Sequence, residues 1–165
     1  MKIKTTRFGE IEADESRIID MRGGILGFEH LDKYILHKQD ENTPFLWFQS
    51  VNDGATAFVI INPQIVKSDY YPEIGDDDMA LLEIESVEDV VLMAIVTIRS
   101  NPLKVSANLR APIVINARKR LAKQIVLEDP DYPVQYYLTI SNSSGKQENM
   151  GRECDRNEEC NNFAL

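Results

Sequence analysis

The chain has 165 residues, 43% of them hydrophobic and 27% charged, with a formal net charge of −9. That length fits one domain with a core of its own. The negative balance argues against direct nucleic-acid binding, which needs clustered Lys and Arg. No apolar run approaches the ~18 residues of a membrane span. The start, Met1-Lys2-Ile3-Lys4-Thr5-Thr6-Arg7, has no apolar stretch behind its charges, so no secretory signal is expected. The expected compartment is the cytoplasm, with no membrane partner.

Residues 2–6 open as a strand, and Arg7-Phe8-Gly9-Glu10-Ile11 turns the chain into the next piece. Residues 17–21 are strand-like up to Gly23-Gly24. Residues 33–37 follow. Residues 45–50 and 56–61 form the clearest hairpin, joined across Asp53-Gly54. Residues 79–84 and 90–98 read as a further pair, with acids at 85, 88 and 89 between them. Residues 104–109, 113–115 and 134–139 complete the set. Short strands at this spacing predict an all-β fold: a small barrel with antiparallel or mixed pairing. Several are apolar on successive residues, as strands covered on both faces are.

One short α-helix is expected near 116–124. Asn116 can cap it, and Ala117, Leu121 and Ile125 recur on one face. Arg118, Lys119 and Arg120 sit at its start, where the helix dipole does not favour cations, which points to an acidic neighbour or a partner. Residues 1–138 read as one β domain. Residues 139–165 read as a flexible polar tail, with too few apolar residues to offset the entropy of ordering.

The chemistry-bearing residue types form no catalytic signature. Cys154 and Cys160 stand in the tail at a spacing that fits no common metal template. His30 and His37 have no ligand partner nearby. Gly23-Gly24-Ile25-Leu26-Gly27-Phe28 lacks both the dinucleotide and the P-loop order. Asp76-Asp77-Asp78 lacks the alternating acids and the glycine of a calcium loop. No G-x-S-x-G is present, and no cysteine falls in the folded part. The expectation is a protein without enzymatic activity, metal or cofactor.

The candidates for recognition are of another kind. Residues 69–78 carry Asp69, Glu73, Asp76, Asp77 and Asp78 with no base, beside Tyr70, Tyr71 and Ile74. Carboxylates for steering beside aromatic anchors suit a basic protein surface. Phe45, Trp47 and Phe48 are candidates for an apolar contact. Strand alternation puts Phe45 and Trp47 on one side and Phe48 on the other.

The run Asn108-Leu109-Arg110-Ala111-Pro112-Ile113-Val114-Ile115-Asn116 is the most distinctive. It joins Phe8-Gly9-Glu10-Ile11, Gly24-Ile25-Leu26-Gly27-Phe28-Glu29, Tyr34, Pro44-Phe45-Leu46-Trp47-Phe48-Gln49-Ser50, Ala57-Phe58-Val59-Ile60, Pro63, Arg120, Ala122 and Gln124. In this order they resemble the FliW family of bacterial flagellar assembly factors, over about residues 1–138. Ser106-Ala107 departs mildly, where the family usually has a Thr-Val-like pair. The resemblance implies a regulator rather than an enzyme. It implies two partners: CsrA, a small basic RNA-binding dimer that represses flagellin translation, and flagellin itself, which sequesters the factor until export releases it. A small-ligand-binding barrel is the alternative, and it needs a polar-lined interior cavity. The expected state is a monomer.

Overall fold

The computed structural model describes residues 1–141 and 161–164. Lys2–Thr5 (β1) and Gly9–Glu12 (β2) form an antiparallel hairpin apart from the main sheet. The main sheet contains Ile19–Met21 (β3), Lys33–His37 (β4), Leu46–Ser50 (β5), Ala57–Ile61 (β6) and Val90–Arg99 (β7). It continues with Lys104–Ala107 (β8), Ile113–Asn116 (β9), Leu121–Gln124 (β10), Tyr136–Ser141 (β11) and Asn161–Ala164 (β12). From β3 to β7 each strand pairs antiparallel with the next. β7 also pairs with β9, β9 with β10, and β10 in parallel with β3, where Leu121 meets Asp20 and Ala122 meets Met21. That last pairing closes seven strands into a barrel, so each of the seven has a neighbour on both sides over at least part of its length.

The all-β barrel expectation holds, with mixed pairing confined to the seam at β3 and β10 and to β12, which runs parallel to β11. Cys154, Cys160 and the part of the expected tail that falls in 142–160 and 165 lie outside the described residues.

β7 is the long member. One of its edges carries β9 at Val90 to Met93 and β8 at Val96 to Arg99. Val96 faces Ala107 and Met93 faces Ile113, so six steps of chain run against three of β7. The surplus is extruded at Asn108-Leu109-Arg110-Ala111-Pro112. Asn108 Oδ1 accepts from the N–H of Arg110 and of Ala111, both at 3.1 Å, which folds the surplus into a turn. Proline fits there because it has no N–H to leave unpaired.

The helix expected near 116–124 is not formed. Residues 117–120 are a turn and 121–124 are β10. Asn116 Oδ1 does accept from the free N–H groups of Arg118 and Lys119, but Arg120, at φ +56°, sends the chain back antiparallel to β9. A helix here would take from β3 and from β9 the neighbour that closes the barrel between them. The strand expected at 79–84 is also corrected: Asp76–Leu81 is a short helix. A second, Pro63–Val66, follows β6. We label them α1 (Pro63–Val66) and α2 (Asp76–Leu81).

The barrel interior is filled by side chains, among them Tyr34, Phe48, Ile60, Met93, Ile113 and Ile115. Tyr34 stacks on Phe48 at 4.3 Å between ring centres. A second core forms where Ile61, Ala94, Val114 and Leu121 meet Val66, Tyr70, Leu82 and Leu127. Alternation along the strands serves both cores at once, which is why these strands are apolar on consecutive residues. A third, smaller cluster joins Ile3 and Ala13 to Ile35. The β1–β2 hairpin is fastened at Gly54, whose C=O accepts from the N–H of Thr6 at 3.0 Å. A Cβ on Gly54 would stand 1.9 Å from the Lys4 carbonyl oxygen, so only glycine fits.

Candidate functional site

Residues 69–92 form the wall of one groove. They hold nine carboxylates and no Lys or Arg. The chain has 27 acids, so 18 remain outside this stretch, against 18 basic residues in all. The whole formal charge of −9 therefore belongs to these 24 residues, and the rest of the chain is balanced. Three of the nine are paired: Asp69 with Lys67 at 3.0 Å, Glu83 with Lys119 at 3.5 Å, and Asp78 with Lys123 at 2.5 Å. Of Arg118, Lys119 and Arg120, whose positions call for an acidic neighbour or a partner, Lys119 has such a neighbour in Glu83. Glu73, Asp76, Asp77, Glu85, Glu88 and Asp89 form no ion pair among the described residues.

Local structure explains the placement. Gly75 starts α2, and Asp76, Asp77 and Asp78 occupy its first turn, where the helix dipole favours negative charge. At its other end Asn116, 1% exposed, donates from Nδ2 to the carbonyls of Leu82 and Glu83, both at 2.9 Å. That ties the end of α2 to the barrel and lets Glu83 take φ +52°. Ser86 caps the 3-10 turn Val87–Asp89 through Glu88 N–H, and β7 begins there. Between these pieces lies a groove of about 460 Å³. Its floor and walls are mostly apolar, with Ile74, Met79, Ile84, Val90 and Leu92, and Asn62 and Gln64 add polar groups at one side. Tyr71, 74% exposed, and Val87, 81% exposed, stand at its margin.

The sequence candidates divide. Tyr71 lines the groove, and Glu73, Asp76 and Asp77 are exposed on the segments that line it. Asp69 is held below the usual carboxylate range by its hydrogen bond from Lys67. Tyr70 is wholly buried: its hydroxyl donates to the Leu109 carbonyl at 2.7 Å, its ring meets Tyr132 edge-on, and burial raises its pKa. It fastens the 70-loop to the Asn108 turn and presents nothing outward. Phe48 is likewise buried, inside the barrel. Phe45 and Trp47, on the other side of β5 as alternation requires, line a separate depression of about 180 Å³ with Val59 and Ile98. Arg7 lies over the Trp47 ring at 4.7 Å, and Phe8 meets it edge-on. Sequence reading missed Met79, Ile84, Val87, Val90 and Leu92 as groove residues. It also missed Glu83, Glu85, Glu88 and Asp89. The signal that finds the acids is the run of 24 residues without a base.

Among the described residues no group of three or more His, Cys, Asp or Glu is arranged to hold a metal ion. None of their helices is long and apolar enough to cross a membrane.

These features define a class: a closed seven-stranded β-barrel packed with its own side chains, bearing on its outside a mostly apolar groove bordered by an acidic segment. Comparison with known proteins then narrows it. The family model for the FliW protein matches residues 2–138. The flagellar assembly factor FliW of Syntrophus aciditrophicus (strain SB) is 61% identical over 136 residues, covering 82% of this chain and 86% of that protein. The one from Caldicellulosiruptor bescii is 43% identical over 145 residues, covering 88% and 95%. A crystal structure of the flagellar assembly factor FliW matches with a TM-score of 0.75 at 36% identity, covering 83% of this chain and 96% of that one. The chain belongs to the FliW family.

Proposed function

We propose that this protein is a cytoplasmic flagellar assembly factor that acts by binding and not by catalysis. It captures the basic repressor CsrA and so relieves repression of flagellin mRNA. It also binds flagellin, so that export of flagellin frees it for CsrA. Membership of the FliW family and the names of its relatives support the assembly role. The observation that carries the CsrA half is the concentration of the entire formal net charge on residues 69–92, the segment that contributes most of the lining of one apolar groove. Such a face attracts a basic partner at long range and supplies desolvated contact at short range. Phe45 and Trp47, half-buried in their own depression, are the candidates for the amphipathic flagellin segment. The side-chain-filled barrel interior disfavours the small-ligand reading.

Calorimetry with purified CsrA tests this. Binding is expected at low ionic strength and weakens as salt rises, because screening shortens the reach of exposed charges to ~10 Å at 0.1 M. The double substitution Asp76→Ser with Asp77→Ser weakens binding and flattens the salt slope. Asp78→Ser, which removes the partner of Lys123, has the smaller effect on that slope. No association with CsrA at low salt overturns the proposal.

A further inference from the structure

Two hydrogen bonds give the direction in which the main chain of β7 faces. Ile95 C=O accepts from Asn108 N–H and Asp89 C=O accepts from Ala117 N–H, both at 2.8 Å. The odd-numbered residues of this stretch therefore turn their main-chain groups toward β8 and β9. In an antiparallel strand the even ones turn the opposite way. On that side Ala94 and Val96 meet Ile61 and Val59 of β6, and the ladder stops there. Continuing the register, the residue opposite Leu92 is Pro63. It has no N–H, and its C=O accepts from Lys67 N–H within α1. Val90 N–H turns back onto Val87 C=O. This leaves the N–H and C=O of Leu92 and the C=O of Val90 without a hydrogen-bond partner among the described residues. Both residues line the groove bordered by the acidic segment.

We propose that the groove binds an extended, Lys- or Arg-bearing protein segment as an added strand on the free edge of β7 at Val90 and Leu92. The segment's alternate apolar side chains enter toward Ile74, Met79 and Ile84. Its cations meet the unpaired carboxylates Glu73, Asp76, Asp77 and Glu88. An unpaired strand edge is a template for strand addition: main-chain bonds give affinity and alternate side chains give selectivity. A helix in the same groove would cover the free groups of Leu92 without bonding them, which leaves buried polar groups unpaired. The proposal deepens the partner reading above, resting on it for the site and naming the form in which a partner is held.

The probe is acetyl-Lys-Val-Lys-Val-Lys-Val-Lys-amide, titrated into the full chain. Two counterparts are N-methylated, one on the valines and one on the lysines. The amide exchange of Leu92 is followed by NMR. The unmodified peptide is expected to bind and to slow Leu92 exchange at least ~tenfold at saturation. A strand has two edges and only one faces β7. One methylated peptide is therefore expected to bind ~tenfold more weakly, the size of one lost buried hydrogen bond, while the other is little changed. No binding, equal loss in both methylated peptides, or unchanged Leu92 exchange overturns strand addition. CsrA binding without protection of Leu92 also sinks strand addition but leaves the partner reading standing. Peptide binding with protection, but no association with CsrA, does the reverse.

Discussion

Asn116 is the residue on which the groove and the barrel most directly depend. Its amide nitrogen donates to the Leu82 and Glu83 carbonyls, and its oxygen accepts from Arg118 and Lys119 N–H. Asn116→Ala removes all four bonds. The Arg118 and Lys119 residues are exposed, so water can replace those two at little loss. The Leu82 carbonyl, whose bond is buried, is left unpaired behind a small cavity, while exposed Glu83 can turn to water. At ~1–3 kcal/mol for an unsatisfied buried group, the expected loss is ~3 kcal/mol. That is a large part of the ~5–15 kcal/mol typical of a folded domain. Urea unfolding followed by Trp47 fluorescence measures it, with the midpoint falling and the slope unchanged. Asn116→Asp has the same shape and keeps the acceptor for the turn, but it points an anionic oxygen at two carbonyl oxygens. The folded state then favours the protonated acid, so its pKa rises above the unfolded value of ~3.9. The penalty is complete at neutral pH and shrinks as pH falls through that raised value. The gap between Asn116→Asp and wild type should therefore narrow from pH 7 to pH 5. An alanine variant within ~0.5 kcal/mol of wild type, the range of an ordinary surface change, would refute the reasoning. A pH-independent gap for the aspartate variant would do the same.

Tyr34 offers the opposite sign: its buried hydroxyl has no hydrogen-bond partner among the described residues, and burial pushes its pKa up to about 12. Tyr34→Phe should raise stability by ~1 kcal/mol. Tyr34's own contribution is complete below its unfolded value of ~10 and is lost as pH rises toward 12, so urea midpoints at pH 8 and 11 should differ less in the variant. Phe48→Ala should lose ~3–5 kcal/mol as an interior aromatic. Trp47→Ala, on the outer side of β5 and holding Phe8 and Arg7, should lose only ~1–2 kcal/mol by circular dichroism. Gly54→Ala should push the β1–β2 hairpin away from Lys4, at a cost of ~2 kcal/mol. Its mark is faster amide exchange at Thr6.

The strands best legible in the sequence are β5 and β6, because Asp53-Gly54 marks their turn and alternation sorts Trp47 from Phe48. The 79–84 run was less so: Met79-Ala80-Leu81-Leu82 is apolar without a period, and such runs suit strand and helix alike. Gly75 and the three aspartates settle it as α2 through the dipole. At 116–124 the bond from Asn116 to the following N–H groups was legible, but a helix cap and a β-turn use the same bond. What decides is distant: Leu121 and Ala122 have β9 on one side and β3 on the other. The acids of the groove could be counted in the sequence. Its apolar floor could not, since Ile84 and Leu92 reach Ile74 only once α2 is pinned to the barrel.

The seam between β3 and β10 has a bearing on how the molecule is made. Asp20 leaves the ribosome early, and its neighbour Leu121 emerges only after most of the chain. Until then β3 has β4 on one side and nothing on the other, so the nascent polypeptide is an open sheet with a sticky border. Pairings this far apart form slowly and leave such borders exposed for longer. Translation that stops before Gln124 yields a product that cannot close.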